Sequence, residues 1–163
     1  MELNKKVEEA INKQIQAECY SSYLYLAMAA YCDSANMPGY AHWMRTQSQE
    51  ELQHAMKFYH YVVERGGRVV LAAIQQPPVE FESLLAVAEE TYAHEQKVTS
   101  LIGALYEVAV AEKDYATEVF LQWFIKEQVE EENNARTIVD QFKMIGDHAN
   151  GLFMLDHQLG ARE

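Results

Sequence analysis

In the run Gln49-Glu50-Glu51-Leu52-Gln53-His54, a carboxylate and an imidazole stand three residues apart. Three residues is nearly one turn of an α-helix, so Glu51 and His54 face the same way and make half of a metal site. A lone Glu-x-x-His is common on solvated helix faces, and its meaning depends on what lies opposite. The residues of matching chemistry are Glu18, Glu95, Gln128 and Glu131, each of which interrupts an otherwise apolar helical stripe.

Long helices must position these side chains. The chain has 163 residues, 49% hydrophobic, with only 3 prolines and 7 glycines, a composition of helix formers with few breakers that fits one all-α domain over residues 1–163. From Asn4 to about Asp33 one row reads Ile11, Ile15, Glu18, Ser22, Tyr25, Ala29, Cys32, stepping by four and three as a buried stripe does. Ser34 to Gly39 forms a short turn, with Pro38 suited to the first turn of the next helix. The second stripe reads Met44, Gln47, Glu51, His54, Phe58, Val62 and stops at Gly66-Gly67. The third, between about Ser83 and Glu112, reads Leu84, Ala88, Thr91, Glu95, Val98, Ile102, Leu105, Ala109. The fourth starts near Tyr115 and reads Leu121, Phe124, Gln128, Glu131, Ala135, Ile138, Phe142, Ile145, with Gly146 ending it. Asn150 to Leu159 fits a short fifth helix with Leu152, Leu155 and Leu159 on one side.

Between the second and third helices, Arg68 to Glu80 is apolar at first and then broken by Pro77-Pro78. Extended at about 3.3 Å per residue, this stretch reaches about 43 Å, close to the length of a 28-residue helix at about 1.5 Å per residue. It can therefore cross the whole bundle and make the third helix parallel to the second. The predicted fold is a four-helix bundle with one long crossover and a short fifth helix.

In such a bundle the helix midpoints share one level, which brings Glu18, Glu51, His54, Glu95, Gln128 and Glu131 into one internal layer. Two carboxylates about 4 Å apart repel by about 4 kcal/mol even at an effective dielectric of 20, so unpaired acids are not explained by packing. Two readings survive: bound metal cations, or a hydrogen-bonded network of protonated acids. An oxygen-rich set with one imidazole and no thiolate suits non-haem iron or manganese, and a central Glu or Glu-x-x-His from each helix is the layout of di-iron carboxylate bundles. Beside this layer, Glu50 lies about 100° around the helix from Glu51, while Glu127 and Glu130 share a face next to Gln128. They suggest a neighbouring third cation site, or part of an acidic exposed face.

The net charge of −12 argues against nucleic-acid and anionic-membrane partners and favours cations. The opening Met1 to Lys6 leads into polar helical sequence without an apolar signal core, and no membrane span is evident, so a cytoplasmic protein is expected. Cys19 and Cys32 sit about 20 Å apart on one helix, beyond disulfide reach, and read as packed thiols. His42, His60, His94, His148 and His157 fall off the central layer and are expected at the surface or in packing.

Glu18 followed by Tyr20-Ser21-Ser22, the run Gln49-Glu50-Glu51 to His54, Tyr92 to Gln96 around Glu95, and Phe120-Leu121-Gln122-Trp123 leading into Glu127-Gln128-Val129-Glu130-Glu131 occur in an order that resembles the ferritins of the bacterial and archaeal non-haem type. The resemblance runs from the first helix through the fifth. It implies that Glu18, Glu51 and His54 hold one iron and that Glu95, Gln128, Glu131 and bridging Glu51 surround a second. It further implies a third iron at Glu50, Glu127, Glu130 and Glu131, and a redox-supporting or hydrogen-bonding role for Tyr25. Bacterioferritin differs, because Gln128-x-x-Glu131 replaces its Glu-x-x-His and Leu52 stands where it carries a haem-binding methionine. No haem is expected. CxxC pairs typical of rubrerythrin are lacking, and the small DNA-protecting ferritins place their ligands between subunits. The implied activity is that of a ferroxidase using dioxygen or peroxide, feeding a ferric store inside a homo-oligomeric shell of twenty-four subunits. The alternatives are a di-iron oxidase or peroxide-scavenging bundle that stores nothing, and a helical scaffold with a protonated polar core.

Overall fold

The computed structural model describes residues 2–163; Met1, the first residue of the opening Met1 to Lys6, lies outside the described residues. Among the described residues there are five helices and no strands: α1 (Lys5–Ser34), α2 (Pro38–Glu64), α3 (Leu84–Ala111), α4 (Tyr115–Ile145) and α5 (Ala149–Gly160). Helix ends follow local chemistry. Asn4, Ser83 and Asp114 each accept a hydrogen bond from a backbone N–H two or three residues on, capping α1, α3 and α4. Gly66 and Gly146, both at positive φ, follow α2 and α4.

α1 pairs with α2 and α3 with α4 as antiparallel neighbours, joined by the predicted crossover. That segment lies along α1: Asn12 bonds to the backbone of Arg68 and Val70, and Gln16 donates to the Ala73 carbonyl. Phe81 then meets Tyr31 near the far end of α1. The side chains of Val70, Leu71, Ile74 and Val79 remain exposed.

α2 has no side-chain cap of its own. Instead Asp156 of α5 accepts a hydrogen bond of 2.9 Å from the Tyr40 N–H, placing a carboxylate at the positive end of α2. This contact needs two glycines. A Cβ on Gly39 would run into the Asp156 carbonyl, and one on Gly160 would come within 3.0 Å of the Gly39 Cα. Gly39→Ala is therefore expected to push α5 off α2 and lower stability by about 1–3 kcal/mol, read as a lower thermal midpoint. An unchanged midpoint would show that α5 docks by other contacts.

The core comes in two apolar clusters. One joins Tyr25, Met28, Tyr40, Met44, Val87, Phe142 and the α5 leucines; the other joins Val7, Ile11, Phe58, Val62, Ile102, Leu121 and Phe124. Between them, at the level of the helix midpoints, lies the polar layer read from the sequence.

Candidate metal centre

Each ligand candidate reaches the layer because it occupies the central core-facing position of its helix. Glu18, Glu51, His54, Glu95, Gln128 and Glu131 are all buried, none more than 5% exposed. Two groups of three have donor atoms within 4.8 Å of one another: Glu18, Glu51 and His54, and Glu51, Glu95 and Glu131. Glu51 belongs to both. A carboxylate has two oxygens, so it is the side chain able to bridge two cations held by these groups.

The surroundings aim these groups. Gln14 donates to Glu18 Oε1 at 2.8 Å, and Gln47 donates to Glu131 Oε2 at 2.7 Å with a longer contact to Glu51. The Gln128 amide donates to Glu95 Oε2 and to Thr99 Oγ1, each at 3.2 Å, and so braces Glu95. The Tyr25 hydroxyl donates to Glu95 Oε1. His54 Nδ1 lies 3.2 Å from Glu51 Oε2. Glu18 Oε2 is buried with no hydrogen-bond partner. An orphaned carboxylate oxygen costs about 1–3 kcal/mol or more, a cost that a bound cation removes.

Electrostatics point the same way. Burial, followed by the adjacent Glu51 carboxylate, holds Glu18 well above the usual carboxylate range. Burial and Glu95 do the same to Glu51. Burial raises Glu95 against the lowering effect of the Tyr25 and Gln128 hydrogen bonds, and burial with Glu95 pushes Glu131 up to about 7. Without metal these shifts favour retention of protons in the layer. The Tyr25 phenol, raised well above its ordinary value by burial and then Glu95, stays protonated. The donor set fits two hard or borderline divalent cations that exchange with those protons.

The candidates for a third site are arranged differently. Glu50 is half-buried and bonds to Arg162 Nη2 at 2.6 Å; Glu127 is half-buried and Glu130 exposed. Among the described residues, these three do not gather into a further compact donor group in this conformation.

Several supporting residues escaped the sequence reading. Gln14 and Gln47 each stand four residues before a ligand on the same helix face, a signal available from spacing alone. Arg162 had no such signal. On α1, the fully buried serine is Ser21, and Ser22 is only half-buried, bonding to Ser48 across the α1–α2 contact. Ser21 bonds to His94 at 2.7 Å, and the His94 ring stands edge-on to Tyr25 at 5.7 Å. Burial and Lys97 depress His94 to about 4, which leaves it neutral and in the packing role expected for it.

A four-helix bundle with two carboxylate-rich donor groups that share one glutamate is compatible with the metal-carboxylate class of helical bundles. Residues 8–145 match the family described as ferritin-like domain. The chain is 45% identical over 160 residues to the bacterial non-heme ferritin of Bacteroides fragilis, covering 98% of this chain and 99% of the relative. It is 39% identical to that of Staphylococcus aureus, covering 98% and 96%. An open-pore ferritin from the hyperthermophilic archaeon Archaeoglobus fulgidus superimposes with a TM-score of 0.98 at 51% identity, covering 99% of this chain and 98% of that one. A site-directed variant of that ferritin, engineered toward a closed form, gives the same TM-score at 52% identity. The chain belongs to the ferritin family.

Proposed function

We propose that the chain, as one unit over residues 1–163, is a cytoplasmic iron-storage subunit that oxidises Fe(II) at an intrasubunit two-iron centre. In this reading Glu18, Glu51 and His54 bind one Fe(II), and Glu51, Glu95, Gln128 and Glu131 surround the other, with Gln128 and Tyr25 also hydrogen-bonded to Glu95. Glu50, Glu127, Glu130 and Glu131 take a third. The observation that carries the proposal is Glu51, a buried carboxylate common to both donor groups. Two Fe(II) ions held on one carboxylate supply the two electrons that convert dioxygen, with two protons, to hydrogen peroxide, leaving two Fe(III). Peroxide is the alternative two-electron oxidant. Protons displaced from Glu51, Glu95 and Glu131 on metal entry provide a local supply, and the Tyr25–Glu95 hydrogen bond gives the phenol a proton acceptor should it yield an electron. No haem takes part.

Storage requires a closed shell, for which we take twenty-four copies. The exposed apolar side chains of Val70, Leu71, Ile74 and Val79 on an otherwise pinned crossover support contact between copies. Among the described residues no helix is long and apolar enough to cross a membrane. The test is an aerobic titration with Fe(II) followed by sedimentation. Ferric absorbance is expected to rise well above the buffer rate, and the iron to sediment inside particles of shell size. No rate above buffer would end the ferroxidase proposal, and iron oxidised by monomers or dimers alone would end the storage proposal.

A further inference from the structure

The C-terminal residues carry a cation to the edge of the metal layer. α5 is fixed against the start of α2 by the Gly39–Gly160 approach and the Asp156 cap, so Arg162, two residues beyond its end, lies along α2. Trp43, Gln47 and Glu50 occur at spacings of four and three on that helix and share one face. The Arg162 guanidinium covers them: its centre is 4.5 Å from the Trp43 ring, Nη1 donates to Gln47 Oε1 at 3.0 Å, and Nη2 donates to Glu50 Oε2 at 2.6 Å. The Arg162 carbonyl is held at 2.7 Å from His42 Nε2, so the backbone is tied down as well.

We propose that Arg162 is a built-in counter-cation that occupies Glu50 in place of a third metal ion, so that metal loading at that position requires the guanidinium to leave. This rests on the assignment of Glu50, Glu127, Glu130 and Glu131 as a third iron site. Arginine has donors only, so the Gln47 amide must turn its oxygen toward Arg162 and its nitrogen toward Glu131 and Glu51. Arg162 neutralises Glu50 directly, and its contact with Gln47 Oε1 is compatible with the amide orientation that the Glu131 carboxylate itself selects, so Glu131 keeps its brace without the arginine.

The pair is strong enough to compete and weak enough to release. Arg162 and Glu50 side chains remain 21% and 38% exposed, and pairs of that kind contribute modestly in water. A divalent ion drawn by several carboxylates outcompetes one monovalent guanidinium once its concentration is sufficient. Metal therefore fills the two inner positions first and the Glu50 position last. The arginine acts as a positioning residue, setting the threshold at which the third ion binds.

Anaerobic calorimetric titration of Fe(II) into the assembled metal-free protein tests this, with wild type compared with Arg162→Gln, Arg162→Lys and Glu50→Gln. Removal of the charge in Arg162→Gln is expected to tighten the third binding step by about three- to tenfold, leaving the first two unchanged and the thermal midpoint of the metal-free protein close to wild type. Arg162→Lys keeps the charge but loses the two-pronged fork, and is expected to fall between. Glu50→Gln should delete the third step. If the third step is present and equally strong in wild type and Arg162→Gln, the counter-cation role is overturned while the third site stands. Absence of a third step from wild type and from both Arg162 variants would overturn the third site, and the role built on it. Weakening of the first two steps in Arg162→Gln would mark the arginine as structural support for Glu131 and also overturn the proposal.

Discussion

Glu51→Ala is expected to lower the initial rate of aerobic Fe(II) oxidation by at least about a hundredfold. Loss of groups that only orient metal ligands commonly costs about 10–100-fold, and Glu51 belongs to both donor groups. Without it Glu18 and His54 remain on one side and Glu95 and Glu131 on the other, with no carboxylate to hold two irons at one separation. The same change should affect the metal-free fold little. It leaves a cavity at a position only 1% exposed, but it also removes one of the acids whose mutual repulsion and desolvation strain the layer. Stopped-flow absorbance of ferric product, alongside thermal unfolding of the metal-free protein, separates these effects. A wild-type rate in Glu51→Ala would remove Glu51 from the site. A rate lost together with the folded state would mean that the acid is structural. Glu51→Gln, nearly equal in volume, distinguishes a lost bridge from a lost side chain: it should slow oxidation strongly while leaving no cavity.

The ligand layer was legible because helical geometry turns sequence spacing into direction. Glu18, Glu51, Glu95 and Glu131 each sit near the midpoint of a stripe that is apolar toward both ends, and a four-helix bundle brings the midpoints to one level whichever way each helix runs. Helix ends were legible for a similar reason. Asn4, Ser83, Asp114, Gly66 and Gly146 act on their own backbone or that of near neighbours, so the boundaries follow from short-range chemistry. The crossover path followed from chain length alone, and its hydrogen bonds to Asn12 and Gln16 place it along α1.

What remained hidden depends on contacts between distant residues. Arg162 lies 112 positions from Glu50, and no periodicity links them; their meeting depends on where α5 docks, which is decided by two glycines and Asp156. Glu50, Glu127 and Glu130 are a different case. Family resemblance names them, but they are not enclosed by the core, so close packing does not fix their directions, and Glu50 turns to Arg162 instead. His94 precedes Glu95 by one residue and was read as off the layer. That is true of its direction, yet its ring reaches Tyr25 because α1 and α3 pack closely there.

Stability of the metal-free protein is expected to fall as pH rises from about 5 to 8, and bound Fe(II) to reverse that trend. Glu131 has its carboxyl lifted from an ordinary 4.5 to about 7, with Glu18, Glu51 and Glu95 displaced in the same direction. Between the ordinary and the raised values these carboxyls bind more protons in the folded than in the unfolded state, while His94, held at about 4 against an ordinary 6.5, offsets one of them below about 6.5. Raising the pH therefore draws protons from the folded state and favours unfolding, by roughly 1 kcal/mol per pH unit for each such group. Glu131 contributes over the window from about 4.5 to 7, so its share is complete on the acid side and lost above neutrality. Metal changes the sign because it requires the ionised carboxylates that higher pH supplies. A ligand bound only by the folded state at a hundredfold excess over its dissociation constant adds about 3 kcal/mol. Thermal unfolding at pH 5, 6, 7 and 8, with chelator and then with anaerobic Fe(II), measures both trends. The midpoint should drop with pH in chelator, and the increment due to Fe(II) should grow with pH. Glu131→Gln should make the chelator series less steep below about pH 7, because its amide has no proton to lose while the other three carboxyls still do. A chelated wild type that becomes more stable toward pH 8 would show that the layer is ionised without metal, and would leave its buried charges to be balanced by some other cation.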